Sequence, residues 1–259
     1  MNKTGSCSYD AVLFDLDGTL LRVQMTEFIP RYVDGLAESC RAYAKPKKFV
    51  RVMLDSIREL LKTNGDGEQT NEQRVYSFVQ QRLGIPEAVL RETFQNFADN
   101  HLDSLKALIH PIPLAKKILQ ECLEQEIPLV LATNPVFPEF MIQARLRWAG
   151  LDDIPFVHLS SFENSCYCKP QSGYFREILA QLQLAPERCL MVGNDADQDM
   201  SAAAVGMQTF LVDTWLIERE GANWPYDSRG DHGALQRFLH ERFSRSCWVR
   251  SRSPQEGKD

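Results

Sequence analysis

Apolar residues are spaced in two ways along the chain, and the alternation of these spacings predicts its fold class. Short apolar runs, typical of strands buried in a parallel sheet, lie at residues 11–14, 129–132, 189–192 and 210–212, and a similar run at 156–159 is interrupted only by His158. Helical spacing of apolar residues lies between the later runs, at 114–125, 138–149, 174–184 and 199–205. Strands that alternate with helices predict an α/β fold, in which a mostly parallel sheet is covered by helices on both faces.

The stretch from about residue 24 to 108 differs because its apolar spacing is helical throughout. The predicted helices cover 25–43, 47–61, 72–83 and 86–108, and a stiff His-Pro-Ile-Pro connector follows at 110–113. Since this block directly follows the first strand, we predict an all-α domain inserted into the sheet domain. The predicted boundaries are 1–20 and 113–222 for the core, 21–112 for the insert and 223–259 for a C-terminal extension. The extension is expected to hold one helix at 234–243 and a disordered tail from Ser244.

The composition is typical of a globular protein, but it does not indicate which reaction the protein catalyses. The 259 residues are 44% apolar and 25% charged, as in an ordinary globular protein, and the net charge of −6 favours neither a nucleic acid nor a membrane partner. No apolar run approaches the roughly 20 residues of a transmembrane helix, and the first ten residues lack the apolar core of a secretory signal. The seven cysteines lack metal-binding or disulfide spacing, which favours reduced thiols and a cytoplasmic location. The oligomeric state stays open.

Polar residues follow the predicted strands at the ends where an open α/β sheet binds its ligands. Asp15 and Asp17 follow the first strand, on the same side of the chain. The other strand ends and a later loop contribute Thr133, Asn134, Lys169, Asp195 and Asp199.

These groups describe a site for phosphoryl transfer. Clustered carboxylates repel one another unless a cation lies among them, and oxygen ligands suit a hard ion such as Mg²⁺. Lys169 and Thr133 would hold an anion beside that ion.

The chain resembles the haloacid dehalogenase-like (HAD) hydrolase superfamily in four motifs that occur in the family's order. These are Asp15-Leu16-Asp17-Gly18-Thr19, Thr133, Lys169-Pro170, and Gly193-Asn194-Asp195 through Asp199. The resemblance implies a Rossmann-like three-layer core, an α-helical cap formed by the insert, and Mg²⁺ as cofactor. It also implies that Asp15 is the nucleophile, which forms an aspartyl-phosphate, and that Asp17 is the general acid and base. By the same resemblance Thr133, Asn134 and Lys169 bind the phosphate, and Asp15, Asp17, Asp195 and Asp199 form the metal site.

The fourth motif departs from the commonest family pattern, in which Asp directly follows the glycine. Asn194 stands there in this chain and Asp195 comes next, so either residue could face the metal, with Asp199 in support. We favour Asp195 because a carboxylate binds Mg²⁺ better than a neutral amide does.

The sequence therefore predicts a Mg²⁺-dependent phosphatase that hydrolyses a small phosphorylated metabolite beneath a helical cap that opens and closes. Asp17 argues against dehalogenation, because dehalogenases of the same superfamily lack this second aspartate. A sugar phosphomutase and a non-catalytic binding or regulatory relative are the alternatives.

Overall fold

A parallel sheet lies at the centre of the structure, a computed structural model that describes residues 9–221 and 223–250, with side chains through Phe243. Its strands are β1 (Ala11–Phe14), β4 (Leu129–Leu131), β5 (Phe156–Leu159), β6 (Cys189–Gly193), β7 (Gln208–Val212) and β8 (Ser228–Gly230). Two further short strands, β2 (Leu21–Arg22) and β3 (His110–Pro111), pair with each other in an antiparallel ribbon. The six-stranded sheet has the order β5-β4-β1-β6-β7-β8, and each neighbouring pair is parallel.

Helices account for most of the remaining chain. The α-helices are α1 (Met25–Ser39), α2 (Pro46–Lys62), α3 (Asn71–Leu83), α4 (Glu87–Asn100), α5 (Pro113–Glu124), α6 (Glu139–Trp148), α7 (Ser172–Leu182) and α8 (His232–Arg250). Shorter 3₁₀ helices cover Leu102–Leu108, Pro186–Arg188 and Met200–Val205. None of the described helices is long and apolar enough to cross a bilayer.

Strand β1 shows how the sheet separates two apolar layers. Its four residues are fully buried and their side chains alternate between the faces, as the pleat requires. Ala11 and Leu13 pack in a cluster that includes residues of α7. Val12 and Phe14 belong to a larger cluster that extends through α5, α8 and the helices that follow β1. The α/β fold with helices on both faces is therefore confirmed.

A block of helices separates β1 from the rest of the sheet in sequence. It consists of α1 to α4 and the 3₁₀ helix after them, and is here called the helical insert. The chain enters this insert through β2 and leaves it through β3, and pairing of these strands holds the two crossings side by side. The predicted helices of the insert are present, although its boundaries as a separate domain stay a prediction.

Several elements differ from the sequence prediction. The helix predicted for 86–108 is α4 followed by a 3₁₀ helix, in which Leu102, Leu105 and Leu108 recur every three residues, the period of that helix. The helix predicted for 199–205 is also a 3₁₀ helix. Strand β8 was not predicted. Helix α8 continues to Arg250, so the disorder predicted from Ser244 is wrong for 244–250, while 251–259 lie outside the described residues.

Candidate active site

A cavity of about 200 Å³ lies at the carboxyl ends of β1, β4 and β6, which are neighbours in the sheet. All the predicted site residues except Lys169 line it, namely Asp15, Asp17, Thr133, Asn134, Asp195 and Asp199. The helical insert covers part of the cavity with Met25, Ile29 and Leu61. Residues far apart in sequence thus meet where a parallel sheet places its ligands.

Lys169 lies beneath the cavity and joins two of its carboxylates. Its side chain is only 1% exposed, and Nζ donates to Asp15 Oδ1 at 2.8 Å and to Asp199 Oδ1 at 2.5 Å. Burial by itself would lower the pKa of Lys169, but the charges of Asp15 and Asp199 raise it above its ordinary value. Lys169 therefore remains an ammonium group that balances the two acids. The peptide bond from Lys169 to Pro170 is cis.

Asp199 is fixed by the fourth motif as well as by Lys169. Its Oδ2 accepts the backbone N–H of Asp195 at 2.9 Å, so both of its carboxylate oxygens are hydrogen-bonded. Gly193 permits this close packing, since a Cβ there would lie 2.2 Å from the Asp199 carboxyl carbon. Burial raises the pKa of Asp199, and the neighbouring Lys169 charge opposes that shift.

Asp195 is held on one side by backbone and on the other by an arginine. Its Oδ1 accepts the N–H groups of Asp197 and Gln198, both at 3.0 Å. Its Oδ2 accepts from Arg219 Nη2 at 2.6 Å. The carboxylate that we expected to face a metal ion thus faces a cation of the protein.

Asp17 forms a buried ion pair with Arg145 of α6. Arg145 Nη1 lies 2.8 Å from Asp17 Oδ1 and 2.7 Å from Oδ2, and the arginine side chain is fully buried. The guanidinium also lies over the ring of Phe137, 4.7 Å from its centroid, while its Nε and Nη2 have no hydrogen-bond partner among the described residues. Burial raises the pKa of Asp17 above its ordinary value, and the Arg145 charge opposes this.

Asn194 connects the first and fourth motifs rather than presenting a free amide. Its Oδ1 accepts the hydroxyl of Thr19 at 3.2 Å, and its Nδ2 donates to the carbonyl of Trp215 at 2.6 Å. Gly18, at φ +92°, leaves room for this amide, because a Cβ at that position would lie 2.2 Å from Asn194 Nδ2.

Thr133 and Asn134 follow strand β4 and line the cavity together with Asp15, the candidate nucleophile. The Thr133 side chain is nearly buried, and its carbonyl accepts the hydroxyl of the buried Tyr174 at 2.8 Å. Asn134 Nδ2 donates to the Lys169 carbonyl and to Gln198 Oε1, which leaves its buried Oδ1 without a partner in the described chain.

The helical insert is attached to the loop that carries Lys169. The side chain of Asn71, at the start of α3, is fully buried and donates to the carbonyls of Pro135 and Tyr167, both at 3.2 Å. The backbone of Gly65 donates to Gln171 Oε1, and Gln171 Nε2 donates to the carbonyl of Thr63. These bonds fix one edge of the insert against the core.

Comparison with known proteins agrees with this arrangement. The family model described as haloacid dehalogenase-like hydrolase matches residues 9–206, which is more than half of the chain. The chain belongs to the haloacid dehalogenase-like hydrolases. It is therefore a hydrolase of the HAD superfamily. No curated protein matches its sequence.

Solved structures with the fold of this HAD-like hydrolase include phosphatases and dehalogenases. A HAD phosphatase from Thermococcus onnurineus is 19% identical, with a TM-score of 0.55 over 88% of this chain and 97% of its own. YfnB from Bacillus subtilis, assigned to the HAD hydrolases and bound to magnesium, is 18% identical, with a TM-score of 0.54 over 90% and 99%. The L-2-haloacid dehalogenase RSc1362 is 17% identical, with a TM-score of 0.52 over 90% and 99%. At these identities the likeness shows the fold alone.

The oxygen donors of this HAD-like hydrolase suit a hard cation, but they are engaged with the protein's own cations. Among the described residues no group of three or more His, Cys, Asp and Glu side chains is arranged as a metal site. Both oxygens of Asp17 and of Asp199 already accept hydrogen bonds. Asp15 and Asp195 line the same cavity, and Arg219 holds the latter. Asp15 and Asp195 have the oxygen donors that Mg²⁺ prefers, and Arg219 would have to release Asp195 for such an ion to bind there.

Sequence reasoning missed two arginines of the site. Arg145 carried a usable signal, because it falls on the apolar face of α6 among buried Met141, Ile142 and Leu146, where an unpaired charge would be costly. Arg219 carried none, since it lies in an irregular segment whose path depends on the fourth motif.

Proposed function

We propose that this HAD-like hydrolase is a Mg²⁺-dependent phosphatase that hydrolyses a small-molecule phosphate ester through an aspartyl-phosphate on Asp15. The observation that carries the proposal is the position of Asp15, which lines the cavity while a buried ammonium group, Lys169, holds its carboxylate at 2.8 Å. A nucleophile for phosphorus needs an oriented carboxylate and cations near the transferred charge.

In the proposed first step an Asp15 oxygen attacks phosphorus, an acyl-phosphate bond forms, and the ester P–O bond breaks. The leaving oxygen takes a proton from Asp17, whose side chain is 17% exposed and lines the same cavity. In the second step water attacks the phosphorus of the intermediate and gives its proton to Asp17. Inorganic phosphate leaves and the Asp15 carboxylate is restored.

Cationic and hydroxyl groups would stabilise the transferred phosphoryl group. Lys169 and the Thr133 hydroxyl are the side chains that we assign to its oxygens. Mg²⁺, held by Asp15 and Asp195, would neutralise charge that develops on the phosphoryl oxygens. Asp199 would orient Lys169, and Asp17 would transfer protons rather than bind the metal through its side chain. Of the four aspartates predicted to bind the metal, we therefore retain Asp15 and Asp195 as side-chain ligands.

The helical insert supports a small substrate. It contributes Met25, Ile29 and Leu61 to a cavity of about 200 Å³, too small for a folded macromolecule. The fixed edge at Asn71 argues against free rigid-body motion of the whole insert, so we propose that the wall formed by α1 and α2 admits the substrate.

The test is a panel of small phosphate esters assayed for released phosphate with Mg²⁺ and with a chelator. Wild-type protein should release phosphate with Mg²⁺, stop with chelator and recover when Mg²⁺ is restored. Asp15→Asn should lower turnover by at least about a thousandfold, and the exposed control Asp103→Asn should match wild type. Circular dichroism and thermal melting check that each variant is folded.

Other outcomes of the same assay identify the alternatives. Chloride release from a 2-haloacid, without phosphate release from any ester, would establish a dehalogenase and overturn the proposal. Transfer of phosphate to a second sugar hydroxyl would establish a phosphomutase. Activity that persists in Asp15→Asn would refute the assignment of the nucleophile.

A further inference from the structure

The segment after β7 is positioned by the fourth motif. Ile217 donates its N–H to the carbonyl of Asn194, and Ala196 donates its N–H to the carbonyl of Ile217, both at 2.9 Å. The carbonyl of Trp215 accepts from the Asn194 side chain. These bonds bring Ile217 and Arg219 to the wall of the cavity.

Arg219 differs from Lys169 in depth and in exposure. Its side chain is 47% exposed, whereas that of Lys169 is 1% exposed beneath the cavity. The guanidinium has five N–H groups, and in the described structure it makes one hydrogen bond, from Nη2 to Asp195. The Asp195 side chain is 7% exposed, so release of Arg219 requires another cation at that carboxylate, and the Mg²⁺ proposed there would supply it.

Arg219 is also the only cationic side chain among the described residues that line the cavity. Four aspartates, Asp15, Asp17, Asp195 and Asp199, supply the opposite charge. Much of the remaining wall is apolar, formed by Met25, Ile29, Leu61, Val136, Phe137 and Ile217. A substrate tail that enters this cavity meets one positive group and an apolar surface.

We propose that Arg219 is a specificity-determining residue that binds a carboxylate on the leaving group of the phosphate ester. The proposal rests on the proposed function and names the class of its substrate, a short phosphate ester with an apolar stem and a terminal carboxylate. A guanidinium binds a carboxylate through paired N–H groups. A group of charge −1 also adds less repulsion among four aspartates than a second phosphate would.

Two esters of matched length test this recognition. One is n-propyl phosphate, and the other replaces its terminal methyl group with a carboxylate. Calorimetry measures their binding in an Asp15→Asn background with Mg²⁺ present, so that no turnover is required. We expect the carboxylated ester to bind about tenfold or more tightly, and Arg219→Ala to abolish that difference.

Matched variants separate recognition from general electrostatics. Arg219→Lys should retain part of the preference, because it keeps the charge but loses the paired donors. Arg229→Ala, which removes another part-exposed arginine paired with an aspartate outside the cavity, should leave the preference unchanged. Equal binding of the two esters, or a preference that survives Arg219→Ala, would overturn the inference.

Steady-state kinetics then distinguish this failure from failure of the proposed function. In wild-type protein the carboxylated ester should have the higher kcat/KM, and Arg219→Ala should bring the ratio of the two esters' kcat/KM values close to one, mainly through the KM of the carboxylated ester. Hydrolysis of both esters with equal efficiency would overturn the role of Arg219 alone. Arg219-dependent binding without hydrolysis of either ester would instead overturn the phosphatase assignment and support the carboxylate site.

Discussion

The charges of Asp17 and Arg145 should depend strongly on each other for stability. The effects on the free energy of unfolding of replacing one residue should therefore differ according to whether the other is present. Arg145→Met keeps an unbranched apolar side chain between Phe137 and Phe28 but leaves Asp17 without its cation. Asp17→Asn leaves the opposite problem, a fully buried guanidinium without its anion. The double variant removes both charges.

The structure indicates which single variant costs more. Loss of one partner of a buried pair typically costs about 3–5 kcal/mol. Asp17 is 17% exposed, so after Arg145→Met it can recover some hydration or take up a proton, and we expect about 3 kcal/mol. Arg145 is 0% exposed and already lacks partners for Nε and Nη2, so Asp17→Asn should cost about 4–5 kcal/mol. The double variant should lose only about 1–3 kcal/mol, less than the sum of the two.

Urea unfolding of the four proteins at pH 7, followed by circular dichroism, gives the free energy of unfolding for this cycle. The slopes with urea must agree for the values to be compared. A coupling energy of about 3 kcal/mol or more supports the buried pair as described. Single-variant effects that add to within about 0.5 kcal/mol would refute the reasoning, because they would mean that neither charge depends on the other.

Three further perturbations test other parts of the site. Lys169→Met should reduce phosphatase turnover at least about a hundredfold, measured on the best ester of the panel, and Lys169→Arg should restore little because the buried space fits one ammonium group. Asn71→Ala should lower the free energy of unfolding by about 1–3 kcal/mol, since the Pro135 and Tyr167 carbonyls lose a donor, and an equal loss in the exposed control Asn96→Ala would contradict this. Burial lowers the pKa of His158 below its ordinary 6.5, so the unfolded chain binds a proton first as pH falls, and wild type should lose stability below about pH 6.5. Between pH 7.5 and 5.5, the melting temperature of His158→Gln should fall less than that of wild type. An equal fall in both proteins would show that burial of the His158 ring does not cause the loss of stability.

Patterns local in sequence were enough for most of the fold. The strand at β1 and those at β4 to β7 are apolar runs, and the helices show apolar spacing, because each must bury a face against the same core. Strand β8 was missed since Ser228, Arg229 and Gly230 carry no apolar signal and pair only because β7 leaves an edge open beside them. The β2–β3 ribbon was missed for a similar reason, as its strands are separated by the whole insert.

The convergence of the site was also predictable, because strand ends of a parallel sheet share one edge. Asp15, Asp17, Thr133, Asn134, Asp195 and Asp199 were expected to meet there, and they line one cavity with Lys169 beneath it. Their chemical roles stay predictions.

The sequence by itself determined which acids and which lysine meet, since local hydrophobic patterns locate the strand ends and the carboxyl ends of parallel strands share one edge of the sheet. Only the tertiary structure decided which cation each acid contacts. Arg145 reaches Asp17 from α6, and Arg219 reaches Asp195 from an irregular segment after β7. The physical reason is that charge pairing depends on distances of a few ångströms between separate elements, and no periodicity along the chain encodes them.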